Sequence, residues 1–472
     1  MDDSKRYLYF DKNTKVLQEN LYHYRLQEVD EPNLFREIFP YDGIPMVPFN
    51  LRRVPMNPPD DIWITDTTFR DGQQSRSPFT VEQIVTLFKL MSKLGGPKGI
   101  IRQSEFFIYT DKDKEAVRKC MDLGLEFPEV TTWIRAVESD FKIVKEMGVK
   151  ETGILVSCSD YHIFKKMNLT RSQAMEKYLG IVKAALDEGI RPRCHFEDIT
   201  RADFYGFVVP FASELRKLSE EAGIPIKIRA CDTMGYGVSY PGVSLPRSVQ
   251  GIIYGLNRYA GFPSEQLEWH GHNDFYKVVT NSSTAWLYGC SAVSCSLLGI
   301  GERTGNCPLE AMTIEYASLR GTDDGMDFSA ITEIAEYFEN EIGYQIPPRT
   351  PFVGSAFNST RAGIHADGLL KDEEIYNIFD TAKILNRPVT VMVNSHSGSA
   401  GIAHWINSFF RLSAEDAVDK RSELVAKIKE HVDAQYLDGR NSSMGDEELI
   451  EIINGIDPDA IERFKQLRRG DK

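Results

Sequence analysis

Positive charge, paired cysteines, histidine and long apolar runs are all in short supply in this chain of 472 residues. Lys and Arg number 55 against 69 Asp and Glu, a net charge of −14. That sign repels phosphate backbones, so nucleic acid is excluded as the expected partner, and an anionic substrate would need a locally positive site. The seven cysteines include no C-x-x-C pair. This argues against a disulfide framework and a structural zinc cluster, and it fits a reducing compartment. The first 20 residues hold no apolar core followed by a small-residue cleavage site, so no secretory leader is expected. No apolar run approaches the roughly 20 residues of a membrane span. The expectation is a cytoplasmic protein that acts on small molecules, away from membranes.

What is present suits a large soluble enzyme. The composition is 42% hydrophobic and 26% charged, enough to build a sizeable core and too apolar for disorder. Residues 1–60 are aromatic-rich and end in a proline-dense stretch, GIPMVPFNLRRVPMNPPDD, which opposes long helix and central strand. They read as an arm laid over something else. From residue 62, β-branched runs alternate with amphipathic segments. Strands are expected in IWITDTTF, GIIRQSEFF, EVTTWIRA, TGILVSCS, RPRCHFEDI, PIKIRACDT, LEWHGHND and AVSCSLLGI. Helices are expected at 81–95, 171–189 and 211–223. Eight strand–helix units over roughly 260 residues predict an α/β fold, a (β/α)8 TIM barrel over 61–345. Residues 346–472 change character to loops and helices, predicting a mainly helical C-terminal region.

Histidine is rare, at nine residues, yet His270 and His272 share the stretch WHGHND. Side chains two apart on a strand point to one face, so both imidazoles would enter the barrel mouth at the end of strand seven. Asp71, at the end of strand one, is the natural third ligand for a cation, and Asn306, after strand eight, could add an oxygen. Two imidazoles and a carboxylate suit Zn, Mn, Fe or Co, and the open coordination left over means a catalytic metal. Arg70, beside Asp71, could stabilise oxyanion charge there.

These same stretches resemble a known group. TDTTFRDGQQS resembles the D-T-T-x-R-D-G-x-Q signature of the DRE-TIM metallolyases, and FEDITR, CDTMG, HGHND and GIGERTGN resemble its later motifs in order. STRAGIHADGLLKD and VNSHSGSAG resemble downstream segments of the isopropylmalate and homocitrate synthases. The likeness runs from residue 62 to about 405. It implies a metal-dependent condensation of acetyl-CoA with a 2-oxo acid on the barrel. The expected ion is Mn2+, with Co2+, Mg2+ and Zn2+ as alternatives. By this resemblance Asp71, His270 and His272 match the metal ligands, and Asn306 a residue beside them. Arg70 matches the catalytic arginine, Thr233 a hydroxyl that binds the oxo-acid carboxylate, and Gln74 the last signature position. Glu197 and His365 match a pair implicated in removing the acetyl methyl proton. Tyr376 matches a tyrosine of a segment that reaches into the partner subunit's barrel, which implies a homodimer with shared active sites.

The related lyases carry a cysteine in the loop after strand eight. GIGERTGN has none, which favours condensation over cleavage. Arg193 stands four residues before Glu197, where homocitrate synthases hold the distal carboxylate of their substrate, and alternation puts Arg193, His195 and Glu197 on one face. A diacid therefore fits, oxaloacetate or 2-oxoglutarate. Two departures, IIRQSEFFIYT in strand two and the proline-rich arm, are similar to a citrate-forming branch of the group. Acetyl-CoA plus oxaloacetate giving citrate and CoA is the activity this implies; homocitrate and 2-isopropylmalate synthesis are the alternatives.

Overall fold

The computed structural model describes residues 8–11, 15–19, 24–360, 362–413 and 415–467. The chain divides into two compact units, residues 1–327 and 328–472. The first holds a closed barrel of eight parallel strands: β1 (Trp63–Asp66), β2 (Ile101–Phe106), β3 (Glu129–Ile134), β4 (Glu151–Ser157), β5 (Arg191–Glu197), β6 (Lys227–Asp232), β7 (Leu267–Gly271) and β8 (Ala292–Cys295). Each pairs with the next, and β8 closes on β1, with Ala292 opposite Trp63 and Cys295 opposite Asp66. All eight expected strands are present. Helices follow them in turn: α1 (Val81–Gly95), α2 (Asp111–Asp122), α3 (Phe141–Glu146), α4 (Arg171–Asp187), α5 (Val209–Ala222), α6 (Val249–Arg258), α7 (Val278–Leu287) and α8 (Leu309–Arg320).

Local chemistry sets these boundaries. Thr80, Thr110 and Thr170 begin α1, α2 and α4 with reciprocal capping boxes that satisfy the first free N–H groups. Gly223 and Gly321 end α5 and α8 in the left-handed region, at φ 65° and 68°, where a Cβ would be strained. Outward strand positions such as Ile154, Val156, Phe196, Ile228 and Trp269 are fully buried beneath the helices.

The inside of the barrel departs from the branched aliphatic filling usual for this fold. Gln103 and Glu105 from β2, Glu151 from β4, Arg193 and His195 from β5, Arg229 from β6 and Glu268 from β7 meet across it, all buried. Gly153 of β4 makes the room. A Cβ there would stand 2.6 Å from His195 Nε2 and 3.0 Å from Glu105 Oε2.

The arm runs over the barrel's loops and is pinned through its backbone. Gln27 N–H donates to the Gly206 carbonyl (2.9 Å), Tyr161 OH donates to the Leu34 carbonyl (2.7 Å), and Asn50 N–H donates to the Gly242 carbonyl (3.0 Å). Asn57 N–H reaches the Leu287 carbonyl at 3.0 Å. Leu8–Asp11 and Val16–Glu19 pair as a short antiparallel hairpin, which the sequence reading did not anticipate.

The second unit is helical: α9 (Ser329–Asn340), α10 (Gly363–Lys371), α11 (Thr381–Leu385), α12 (Gly398–Phe409), α13 (Glu423–Leu437), α14 (Asp446–Ile456) and α15 (Ala460–Gln466). A two-residue parallel pairing of Ser359–Thr360 with Thr390–Val391 is its one ladder among the described residues. Helices α12 to α15 share a core that includes Ile402, Ile406, Val425, Ile428, Ile453 and Phe464. The units divide at 327/328, before α9, where the sequence reading carried the barrel to 345. Helix α9 packs on α11, and Thr332 Oγ1 donates to the Leu385 carbonyl. Among the described residues no helix is long and apolar enough to cross a membrane.

Two substitutions test this packing. Gly153→Ala should destabilise the protein by about 1–3 kcal/mol, read by urea denaturation, because the added methyl has nowhere to go. Glu310, buried in the first turn of α8, accepts the Leu298 N–H at 3.0 Å. Burial pushes its pKa up from 4.5 to about 7 against that hydrogen bond. The folded chain thus holds a proton that the unfolded chain releases, and stability falls as pH rises through that window. Glu310→Gln should flatten this slope and leave the variant more stable above pH 7, by roughly 3 kcal/mol at most.

Candidate active site

The site forms where β1, β7 and the loop after β8 meet at the C-terminal rim of the barrel. Past β1 the chain turns at once: Asp66 accepts the Thr68 N–H at 2.9 Å, and Asp71 N–H donates to the Thr67 carbonyl at 2.9 Å. The turn sets Arg70 and Asp71 over the barrel mouth. His270 lies in β7, and His272 continues its alternation through an antiparallel bridge to Asn306. One ligand atom each from Asp71, His270 and His272 falls within 4.8 Å of the others. The two Nε2 atoms are 3.3 Å apart, and His270 Nε2 is 3.7 Å from Asp71 Oδ2. All three residues are buried.

The electrostatics favour a cation in this gap. His270 Nδ1 lies 3.2 Å from Ser294 Oγ; a proton on Nδ1 donating there leaves Nε2 as a lone pair. Burial pushes the pKa of both imidazoles down, most for His270. Burial alone would raise Asp71, but Arg70, the two imidazoles and Asn306 outweigh it and hold the carboxyl well below its usual range. Asn306 Nδ2 donates to Asp71 Oδ2 at 2.7 Å. Its Oδ1 is buried with no hydrogen-bond partner among the described residues. A carboxylate, two imidazole lone pairs and an orphaned amide oxygen form a donor set that fits a divalent ion.

Arg70 lies beside it. Nη1 donates to Asp71 Oδ1 at 3.0 Å, Nε donates to Glu105 Oε1 at 2.7 Å, and the guanidinium faces the Trp133 ring at 5.8 Å. Thr233, at the end of β6, accepts the Asp198 N–H at 2.8 Å, and Arg303 Nη2 donates to its carbonyl at 2.6 Å. Gln74 is exposed on the turn after Asp71; its neighbour Gln73 donates to the Phe69 carbonyl and accepts from the Phe79 N–H.

Arg193 lies deeper than its spacing conveys. It shares an inward face with Glu197, as alternation requires, but lies four residues lower on β5, about 13 Å along the strand. It is fully buried. Nη1 donates to Glu151 Oε1 at 3.0 Å and Nη2 to Glu105, and Thr131 Oγ1 lies 3.2 Å from Nη2. Its guanidinium already grips carboxylates of the chain, which places it in the barrel floor and leaves little of it for a substrate's distal carboxylate.

Glu197 sits at the rim in a setting that spacing did not reveal. His162 Nδ1 is 2.9 Å away, Lys166 Nζ donates at 3.2 Å, and the Ser157 hydroxyl also donates to it. Burial raises its pKa, but the hydrogen bond and charge of His162, with Ser157 and Lys166, hold it at about 2. His162 and Lys166 come from a π-helical turn, Tyr161–Lys166, after β4. The motif SCSDYHIFKK gave no periodic signal for that turn. His365 and Tyr376 lie in the second unit. Both are exposed, with ring centroids 4.5 Å apart.

Comparison with known proteins gives the family. The HMGL-like family profile matches residues 61–338. A citrate (Re)-synthase of Clostridium kluyveri is 60% identical over 445 residues, 94% of this chain and 98% of that protein. A second, from Syntrophus aciditrophicus, is 60% identical over 428 residues, 91% of this chain and 68% of that protein. The 2-phosphinomethylmalate synthase of Streptomyces hygroscopicus is 37% identical over 435 residues, 91% of this chain and 97% of that protein. The chain therefore belongs to the HMGL-like family, on the branch that holds these two citrate (Re)-synthases.

Proposed function

We propose that this chain is an acyltransferase that condenses acetyl-CoA with oxaloacetate to give citrate and CoA, as a Re-face citrate synthase. The observation that carries the reading is 60% identity to two citrate (Re)-synthases over more than nine-tenths of the chain, joined to the Asp71–His270–His272 cluster beside Arg70. A homocitrate synthase of Methanopyrus kandleri and a 2-isopropylmalate synthase of Caldanaerobacter subterraneus are 26% and 29% identical.

When bound, a divalent cation in this cluster polarises the keto carbonyl of a 2-oxo acid. The chain's own residues supply the rest. Ser294 and Asn306 orient His270 and Asp71. Arg70 offers a guanidinium to the oxygen on which negative charge develops as the new carbon–carbon bond forms. Thr233 offers its hydroxyl to a carboxylate of the substrate. Glu197, ionised at neutral pH, holds His162 with its proton on Nδ1. His365, paired with Tyr376 and supplied by the second subunit of a homodimer, takes the acetyl methyl proton as the general base. Water then hydrolyses the citryl thioester. Arg193 supports the pocket from below. We assign Mn2+ as the ion, with Co2+, Mg2+ and Zn2+ as alternatives, and the cytoplasm as the location, to which seven free, buried thiols are suited.

CoA release measured in parallel with oxaloacetate, 2-oxoglutarate and 2-oxoisovalerate separates the three activities; oxaloacetate should be preferred by at least about tenfold in kcat/KM, and preference for another acid would replace this reading. Calorimetric titration with Mn2+ should show one site per chain, and His272→Ala or Asp71→Asn should weaken it by about 10-fold or more. Chelator-treated enzyme should be inactive and regain turnover on adding the ion.

A further inference from the structure

Strand β2 departs from the pattern of related synthases, and the mechanism above leaves it without a role. Its Glu105 side chain is completely buried. The carboxylate collects three guanidinium groups: Oε1 accepts from Arg70 Nε at 2.7 Å and Arg229 Nη1 at 2.9 Å, and Oε2 accepts from Arg193 Nη2. His195 Nε2 faces Oε2 at 3.4 Å. Each arginine is also shared with other carboxylates, and Arg193 Nε lies 3.6 Å from Glu268 Oε2. Arg193 also donates to Glu151 and Arg229 also donates to Glu268, both inside the barrel. Arg70 differs, because its second carboxylate is Asp71, a member of the candidate metal cluster.

This sharing has a geometric consequence. A guanidinium is a planar fork that prefers to grip one carboxylate with two parallel hydrogen bonds. Left to itself, Arg70 would close on both oxygens of Asp71 and occupy the lone pairs that a cation needs. Glu105 takes Nε and leaves Asp71 a single contact through Nη1. Nη2 has no acceptor among the described residues, and it is the nitrogen free to meet a substrate oxygen. We propose that Glu105 is the positioning residue for Arg70. It fixes the plane of the guanidinium, keeps it from closing on Asp71 and aims Nη2 at the reacting oxygen. The proposal rests on the reading that Arg70 acts on the substrate.

Kinetics of Glu105→Gln test it, with the double variant Glu105→Gln/Arg193→Met as the control for folding. The amide keeps the shape but loses the charge, so Arg193 and Arg229 become partly uncompensated and the single variant should melt lower. Removing the Arg193 charge should bring Tm back toward wild type. In both variants kcat should fall by about 10- to 100-fold while KM for oxaloacetate moves less than about threefold, because ground-state binding does not use Nη2. Recovery of kcat along with Tm in the double variant, or an unchanged kcat in the single one, overturns the proposal and leaves Glu105 a partner in core stability alone. If the wild type turns over a different 2-oxo acid, the reading of the substrate fails and the same variants are assayed on that acid. If it turns over none, Co2+ titration decides: weaker binding in both variants supports the proposal, as Arg70 closes on Asp71, and unchanged binding overturns it.

Discussion

A single carboxylate ringed by guanidinium groups is the interaction on which the inside of this barrel depends. Removing Glu105 and three arginines from water costs several kcal/mol per ion, and only close, shared hydrogen bonds offset it. The chain meets that condition by spreading the donors. Glu105, Glu151 and Glu268 divide Arg193 and Arg229 between them, and Lys227 adds a further contact to Glu151 at 2.9 Å. A partnership of this kind tolerates little movement, because displacing one member strands a buried charge. The rim above it inherits that rigidity through Arg70, whose Nε is tied to the same carboxylate.

The barrel has two electrostatic levels. Below, charges of both signs are matched and closed to water. At the rim, Asp71 faces two neutral imidazoles, and the orphaned Oδ1 of Asn306 adds a further donor. The lower level is neutralised within the chain, while the upper one brings its donor atoms within 4.8 Å of one another. That division shows how a protein of net charge −14 could offer a positive centre to an anionic acid: under the proposed function a cation held by the cluster, together with Arg70, would supply it locally, whatever the outer surface carries.

Much of this was legible in the residues, and the limits have physical causes. Strand alternation is short-ranged and strict, so eight strands, and the shared face of His270 and His272, could be read from spacing alone. Asp71 could be joined to them because strand ends of a barrel converge on one rim. Depth was not legible. Alternation told that Arg193 faces inward but not that it lies far below the rim among acceptors from β2 and β4. Glu105 was passed over because its importance lies wholly in partners from β1, β5 and β6, which no local pattern records. His162 was missed because a π-helical turn carries it to Glu197, and such a turn leaves no periodic trace.

The distribution of sulfur has a practical consequence. All seven cysteines, from Cys120 to Cys307, are free and buried, and all lie in the first unit. A thiol-modifying reagent therefore meets no accessible target while that unit stays closed, and the helical unit contributes no background at all. The rate at which the chain becomes alkylated is a clock for transient opening of the barrel, written into the native sequence and needing no engineered label.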